Sequence, residues 1–382
     1  YRMAGNVVGG NETISIKSMT AGSVGGDSGY EMTDNTRGGI DTIAFSATMS
    51  GGNVGGDAAY LMAGASVGAR DIITIKTLSG GYVGGDSGRN MQDAAQSAND
   101  SITISGNMSG GYVGGDAGDT MQGNVRAGDD TIAVVATMSG GTIGGDAGNV
   151  MRGEVEGGVD RITVKTMTGG VIGGDAGVDM QENARGANDT ITVTGVMTGG
   201  TVSGDAGRNM QDNSRGGNDA ITIGTDGTVV TSMYVSGDAG RDMQGEASGG
   251  DDTITITATR AHYVGGDAGG HMMGNAKGGN DSITIGKVNG DNWTYIGGDA
   301  AGGMKEGAHG GNDTITISTL NSSYVGGDAG EAMEGSAKGG DDSISIDQAS
   351  GGIYIGGDAA YEMKGSTLGG NDTISIGLGG CI

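Results

Sequence analysis

The segment Asn312-Asp313-Thr314-Ile315-Thr316-Ile317, followed by Tyr324-Val325-Gly326-Gly327-Asp328-Ala329-Gly330, then Met333 and Gly339-Gly340-Asp341, decides the fold of this 382-residue chain. Its first run alternates Thr with Ile, the period-two pattern of a strand with one buried face. Its second run is a Gly-Gly-Asp turn with a methionine five residues past the Asp. The pair recurs twelve times, with the Asp at Asp27, Asp57, Asp86, Asp116, Asp146, Asp175, Asp205, Asp238, Asp267, Asp299, Asp328 and Asp358. Successive gaps are 29 or 30 residues, stretched only to 33 before Asp238 and 32 before Asp299. A fixed period of this length marks a stacked repeat architecture. The expected fold is all-β: one parallel β-solenoid over residues 1–382, one coil per repeat, 12–13 coils. Tyr1 and Cys381 both fall inside repeats, so both ends read as cut within a longer array.

Three apolar columns define the expected core. The positions two and four past a second acidic site are apolar throughout, as in Ile43/Phe45 and Ile132/Val134. A Val or Ile stands three before each Gly-Gly-Asp aspartate, as in Val83 and Ile143. The methionines Met32 to Met363 supply adaptable filler for a core of small residues. Two glycine turns about half a period apart suggest a flattened, two-sided coil, and glycine density excludes helix.

With 46 acidic residues against 20 Lys and Arg, the net charge of −26 argues against nucleic acid or an anionic membrane surface as partner, and suits cations. The single cysteine, Cys381, excludes an internal disulfide framework. No apolar run of transmembrane length is present.

The acidic residues are organised in two columns. The second comprises Glu12, Asp41, Asp71, Asp100, Asp130, Asp160, Asp189, Asp219, Asp252, Asp281, Asp313, Asp342 and Asp372; with the twelve turn aspartates it holds 25 of the 46 acids. Stacked coils bring like charges to about 4.8 Å. Each neighbouring pair then repels by roughly 0.9 kcal/mol in water and about 3.5 kcal/mol at an effective dielectric of 20. Something must offset this. Calcium is one reading, because glycine turns offer bare carbonyls beside each carboxylate. Hydrogen-bonded turns, with each Asp accepting backbone N–H groups, are the other. Basic residues four before the second site (Arg37, Arg126, Arg185, Arg215, Lys277 and Lys338) offer a partial alternative.

Gly-Gly-Asn-Asp-Thr-Ile (310–315 and 369–374) and Gly-Gly-Asp-Asp-Thr-Ile (249–254) resemble the second half of the calcium-binding nonapeptide of the RTX, haemolysin-type, family. The resemblance spans about six residues in each repeat. The Asp and the apolar residue two later share strand parity, so the Asp points inward at a corner; the resemblance implies calcium held there between coils, and both acidic columns become candidate metal ligands.

Outside the core, a Thr/Ser ladder (Thr253/Thr255, Thr314/Thr316) resembles the flat arrays of ice-binding solenoids, or is simply exposed strand. Tyrosines at Tyr82, Tyr112, Tyr234, Tyr263, Tyr295, Tyr324 and Tyr354 form either a lateral packing stripe or an in-register aromatic ladder. Asn11, Asn99, Asn188, Asn280, Asn312 and Asn371 match the glycosylation sequon but also suit a turn. The histidines His262, His271 and His309 share no repeat position, and the acids are repeat-equivalent, so no catalytic pair is singled out. The expected role is an extracellular or cell-surface structural protein, bacterial or archaeal: a fibre or surface-layer subunit, or an adhesin shaft, with copies of itself as partners. A binding module for ice or for cell-surface glycan is the second expectation, and a polysaccharide-active enzyme the third.

Overall fold

The computed structural model describes residues 2–224, 230–231, 233–260, 263–289 and 293–377. His262, the insert residues Asp226, Gly227, Asp291 and Asn292, and the end residues Tyr1 and Cys381 lie outside them. The chain forms a parallel β-solenoid with a period of about 30 residues and about twelve turns, without helix among the described residues. Among the described residues, no helix is long and apolar enough to cross a membrane. By its contacts it divides into two compact units, Tyr1–Ile191 and Thr192–Ile382.

In the first unit, one parallel sheet is built from the methionine strands, such as Asn90–Asp93, Thr120–Gly123 and Val150–Gly153, with Met91, Met121 and Met151 in register. The other carries the Ile and Val columns, joined in one strand in some coils, as in Ile72–Gly84 and Thr131–Gly144. Ile73, Ile102 and Ile132 pair across successive coils. The second unit repeats the plan: Ile254, Ile283, Ile315 and Ile344 are in register, and Met243, Met272, Met304 and Met333 meet at single bridges. The expected core columns are buried except in the first and last coils, where Met363, Ile374 and Ile376 are exposed and Ile14, Ile16, Val24 and Ile355 half-buried; the parity of the strands is the physical reason for the burial.

A fourth apolar column was not legible in the repeat. Met49, Leu78, Met108, Met138 and Met167 are fully buried. They follow the second acidic site by eight residues in some coils and seven in others. The slip is a β-bulge. Where Thr42–Met49 pairs with Ile72–Gly84, Phe45 faces Ile75 but Thr48 faces Thr77, one extra residue on the first strand. Val134/Val164 and Thr137/Thr166 show the same shift. In these coils the alternation of 29- and 30-residue repeats is therefore absorbed at one bulge, which leaves both acidic columns in register.

The tyrosines stack face to face. Tyr82 and Tyr112 lie 5.1 Å apart, and Tyr234, Tyr263, Tyr295, Tyr324 and Tyr354 form a continuous run at 4.8–5.2 Å. Trp293, at the edge of an insert, tilts over Tyr324 at 5.0 Å.

Candidate metal centre

The sequence sets the two acidic columns about half a period apart, as two lines along a flattened coil. They meet instead. Glu12, Asp27 and Asp41 bring carboxylate oxygens within 4.8 Å of one another, and so do Asp41, Asp57 and Asp71. The series continues through Asp71–Asp86–Asp100, Asp100–Asp116–Asp130 and Asp130–Asp146–Asp160. Each coil therefore returns twice to the same place, once over the 16 residues from Asp41 to Asp57 and once over the 14 from Asp57 to Asp71. The result is a two-lobed coil pinched at the acids. The two columns interleave as one ribbon, in which each second-site carboxylate is shared by the groups above and below it.

The ribbon is interior. Asp57, Asp86, Asp116, Asp146 and Asp175 of the turn column are buried, as are Asp41, Asp71, Asp100, Asp130, Asp160 and Asp189 of the second. The other unit matches this with Asp205, Asp238, Asp267, Asp299 and Asp328 beside Asp219, Asp252, Asp281, Asp313 and Asp342. Glu12, Asp27, Asp358 and Asp372 are half-buried. Removing the ribbon's 25 acids from the total of 46 leaves 21 against 20 Lys and Arg. Of these 25 acids 21 are buried, so most of the net charge of −26 is encoded in the core rather than on the surface.

Hydrogen bonds account for part of it, by a pattern that local turn chemistry does not give. Each second-site Oδ1 accepts the backbone N–H of the homologous residue one coil earlier: Asp71 from Asp41 at 2.6 Å, Asp130 from Asp100 at 2.6 Å, Asp281 from Asp252 at 2.7 Å. Each turn aspartate accepts an N–H twelve residues ahead, closing the shorter lobe. Asp57 takes Ala69 at 3.0 Å, Asp116 takes Gly128 at 3.0 Å and Asp299 takes Gly311 at 2.8 Å. These bonds span the coil or cross between coils, unlike an Asx turn. Outside the ribbon, Asn and Asp residues that precede the second-site Asp build a parallel ladder in many coils, interrupted at Ile40, Arg70 and Val159: Asn280 accepts the Asn312 N–H at 2.9 Å, and Asn312 accepts the Asp341 N–H at 2.6 Å.

What remains is a line of oxygens without a protein partner. Oδ2 of Asp41, Asp71, Asp100, Asp130 and Asp160 is buried and unbonded, as is Oδ2 of Asp252, Asp281, Asp313 and Asp342. Oδ1 of Asp57 and Asp86 shares this state. A buried unpaired carboxylate oxygen is strongly unfavourable, so it calls for a proton or a cation. The basic residues offered by the sequence do not supply one: Arg37, Arg126, Arg185, Arg215, Lys277 and Lys338 are exposed at their bridges, and Arg126 instead approaches Glu156 at 3.5 Å.

The glycines before the turn aspartates make the approach possible. A Cβ on Gly115 would lie 1.9 Å from Gly145 O and 2.0 Å from Asp130 Oδ2, and one on Gly56 would lie 1.8 Å from Asp71 Oδ2 and 2.1 Å from Gly85 O. A carboxylate oxygen and a backbone carbonyl thus converge on each glycine Cα. The donor set is all oxygen, from three carboxylates and adjacent carbonyls, which suits a hard cation rather than a thiophilic one. The buried Asp clusters can hold a metal ion. Ser97 stands where most coils have a glycine facing the turn column (Ala127 is the other departure), and its hydroxyl bridges Asp86 and Asp116.

Without a cation, protons must serve. Burial, followed by neighbouring carboxylates, raises Asp71 to about 9 and Asp328 to about 10; burial also raises Asp41, Asp116 and Asp342 to about 7 and Asp267 to about 6. These groups bind protons more tightly folded than unfolded, where Asp titrates near about 3.9. Their stabilising protonation is complete below that value and is lost as pH climbs through the window from about 4 to the folded values. Cation-free protein is therefore expected to be most stable near pH 4 and to lose stability steadily towards pH 8. Urea unfolding in EDTA across this range checks the sign, and a stability maximum at pH 8 would contradict it.

Comparison with family models, curated proteins and solved structures found no match.

Proposed function

We propose that this chain is an extracellular structural repeat protein, a fibre or surface-layer subunit or an adhesin shaft, whose coils are locked by calcium. The observation that carries the reading is the interleaved buried ribbon with its row of unbonded Oδ2 atoms. Two carboxylates per coil balance one divalent ion per coil, so the ribbon approaches neutrality only when loaded along its length. Calcium suits it better than magnesium: it accepts six to eight oxygens in flexible geometry, whereas magnesium keeps several waters. Extracellular modules hold calcium at roughly 10⁻⁴–10⁻³ M, which matches a protein that stiffens outside the cell.

A structural role also follows from where the chemistry lies. The acids are repeat-equivalent and committed to the core, so none is set apart for acid–base work, and no enzymatic activity is proposed. Uniform parallel ladders give stiffness, and strand addition between copies gives a route to assembly. Negative-stain electron microscopy at millimolar calcium is expected to show filaments or a lattice that disperse in EDTA. Isolated particles under both conditions would remove the assembly part of this reading.

A further inference from the structure

The second unit carries a polar cleft of about 230 Å³ that breaks the repeat. It lies over the column three residues past the turn aspartate. Ten of the twelve coils place a side chain there, from Tyr30, Tyr60 and Arg89 to Arg241, Glu331 and Tyr361. Two consecutive coils have none, Gly270 and Gly302. The backbone ladder passes through them unchanged: Gly270 N–H to Arg241 O at 2.5 Å, Gly302 N–H to Gly270 O at 2.8 Å and Glu331 N–H to Gly302 O at 2.9 Å. The same ladder carries Arg, Glu and Tyr in adjacent coils. The missing side chains therefore open a gap with bare peptide at its floor.

Its walls are built for hydrogen bonding. Asp242 Oδ1 accepts the His271 N–H at 2.9 Å, which fixes this carboxylate, itself an acceptor, at the wall. His271 Nδ1 accepts the Gly303 N–H at 2.8 Å, which in the neutral ring places the proton on Nε2 as a donor. Arg241 lies over the Tyr234 ring at 5.8 Å, at one end of the gap. Glu331 closes the other end, near enough to Tyr263 and Tyr295 to raise both phenols, after burial as the main cause. One guanidinium against two carboxylates disfavours an anionic ligand. Paired carboxylate acceptors with interspersed donors match the vicinal hydroxyls of a neutral sugar.

We propose that this cleft binds a neutral glycosyl unit, with Asp242 and Glu331 accepting its hydroxyls and Arg241 and His271 donating to it. The inference is independent of the metal reading, because none of these residues belongs to the ribbon. Saturation-transfer NMR of the full chain, kept in calcium, would use methyl β-glucoside, methyl β-galactoside and N-acetylglucosamine as probes, with methylammonium as the cationic competitor. At least one sugar should bind, and its affinity should fall at least tenfold in both Glu331→Ala and Asp242→Asn. Circular dichroism of the variants should be unchanged, since Glu331 and Asp242 lie outside the core. Three results would each overturn the proposal: no sugar binding, binding that survives both substitutions, or binding of methylammonium alone.

Discussion

Stripping divalent cations with EDTA at pH 7.5 is expected to lower the melting temperature by about 16–32 °C, and calcium should restore it. The argument is one of linkage. A ligand at a hundred times its Kd stabilises the state that binds it by about 2.7 kcal/mol per site. Three filled sites in one unit would then contribute about 8 kcal/mol, and a unit of this size shifts by about 2–4 °C per kcal/mol. Carboxylates such as Asp71, Asp100 and Asp130 are each shared by two groups, so losing one ion exposes its neighbours to unscreened repulsion. Melting should therefore lose amplitude cooperatively along the ribbon rather than in independent steps. At pH 4 the same chelation should change little, because the ribbon is then protonated. Differential scanning calorimetry with and without EDTA at both pH values tests this, and an unchanged melting temperature at pH 7.5 would dismiss the metal.

Gly115→Ala is expected to destabilise the first unit by about 3 kcal/mol or more, at the upper end of what overpacking costs. The added Cβ would meet Gly145 O at 1.9 Å and Asp130 Oδ2 at 2.0 Å. Neither can withdraw. The carbonyl belongs to the turn of the next coil, and Asp130 is held by its bond to the Asp100 N–H at 2.6 Å. Gly29→Ala is the matched control, since a Cβ there meets nothing within 4 Å, and it should stay within about 0.5 kcal/mol of the parent. Chemical denaturation of both variants measures the difference. If the two behave alike, the turn glycines are not in the position to guard the carboxylates. Because the same substitution crowds Asp130 Oδ2, an oxygen of the candidate metal site, the proposed calcium binding should also weaken in Gly115→Ala, which titration calorimetry would read independently of stability.

The Ile, Val and Met columns were legible because strand parity is a local property: residues two apart share a face whatever the remainder of the chain does. The inward direction of Asp41 and its equivalents followed from the same parity with Ile43. The period placed Tyr234 to Tyr354 in one column but left a lateral packing stripe and an aromatic ladder both open; the structure stacks the rings. The Met49–Met167 column was missed for an equally physical reason: a bulge moves it by one residue between coils, and a column that slips does not appear as a column in sequence.

The ribbon is a different matter. Sequence established that two acidic residues recur in every coil and that glycine precedes them, and hence that charge accumulates along an axis. It did not say that Asp41, Asp57 and Asp71 touch, because separations of 16 and 14 residues are compatible with opposite edges of a coil or with one point visited twice. The path between them sets the distance, and only the folded coil has a path. Closure of both lobes on the same point brought the two expected lines together and buried 21 of their 25 acids, which makes this charge a central demand of the core.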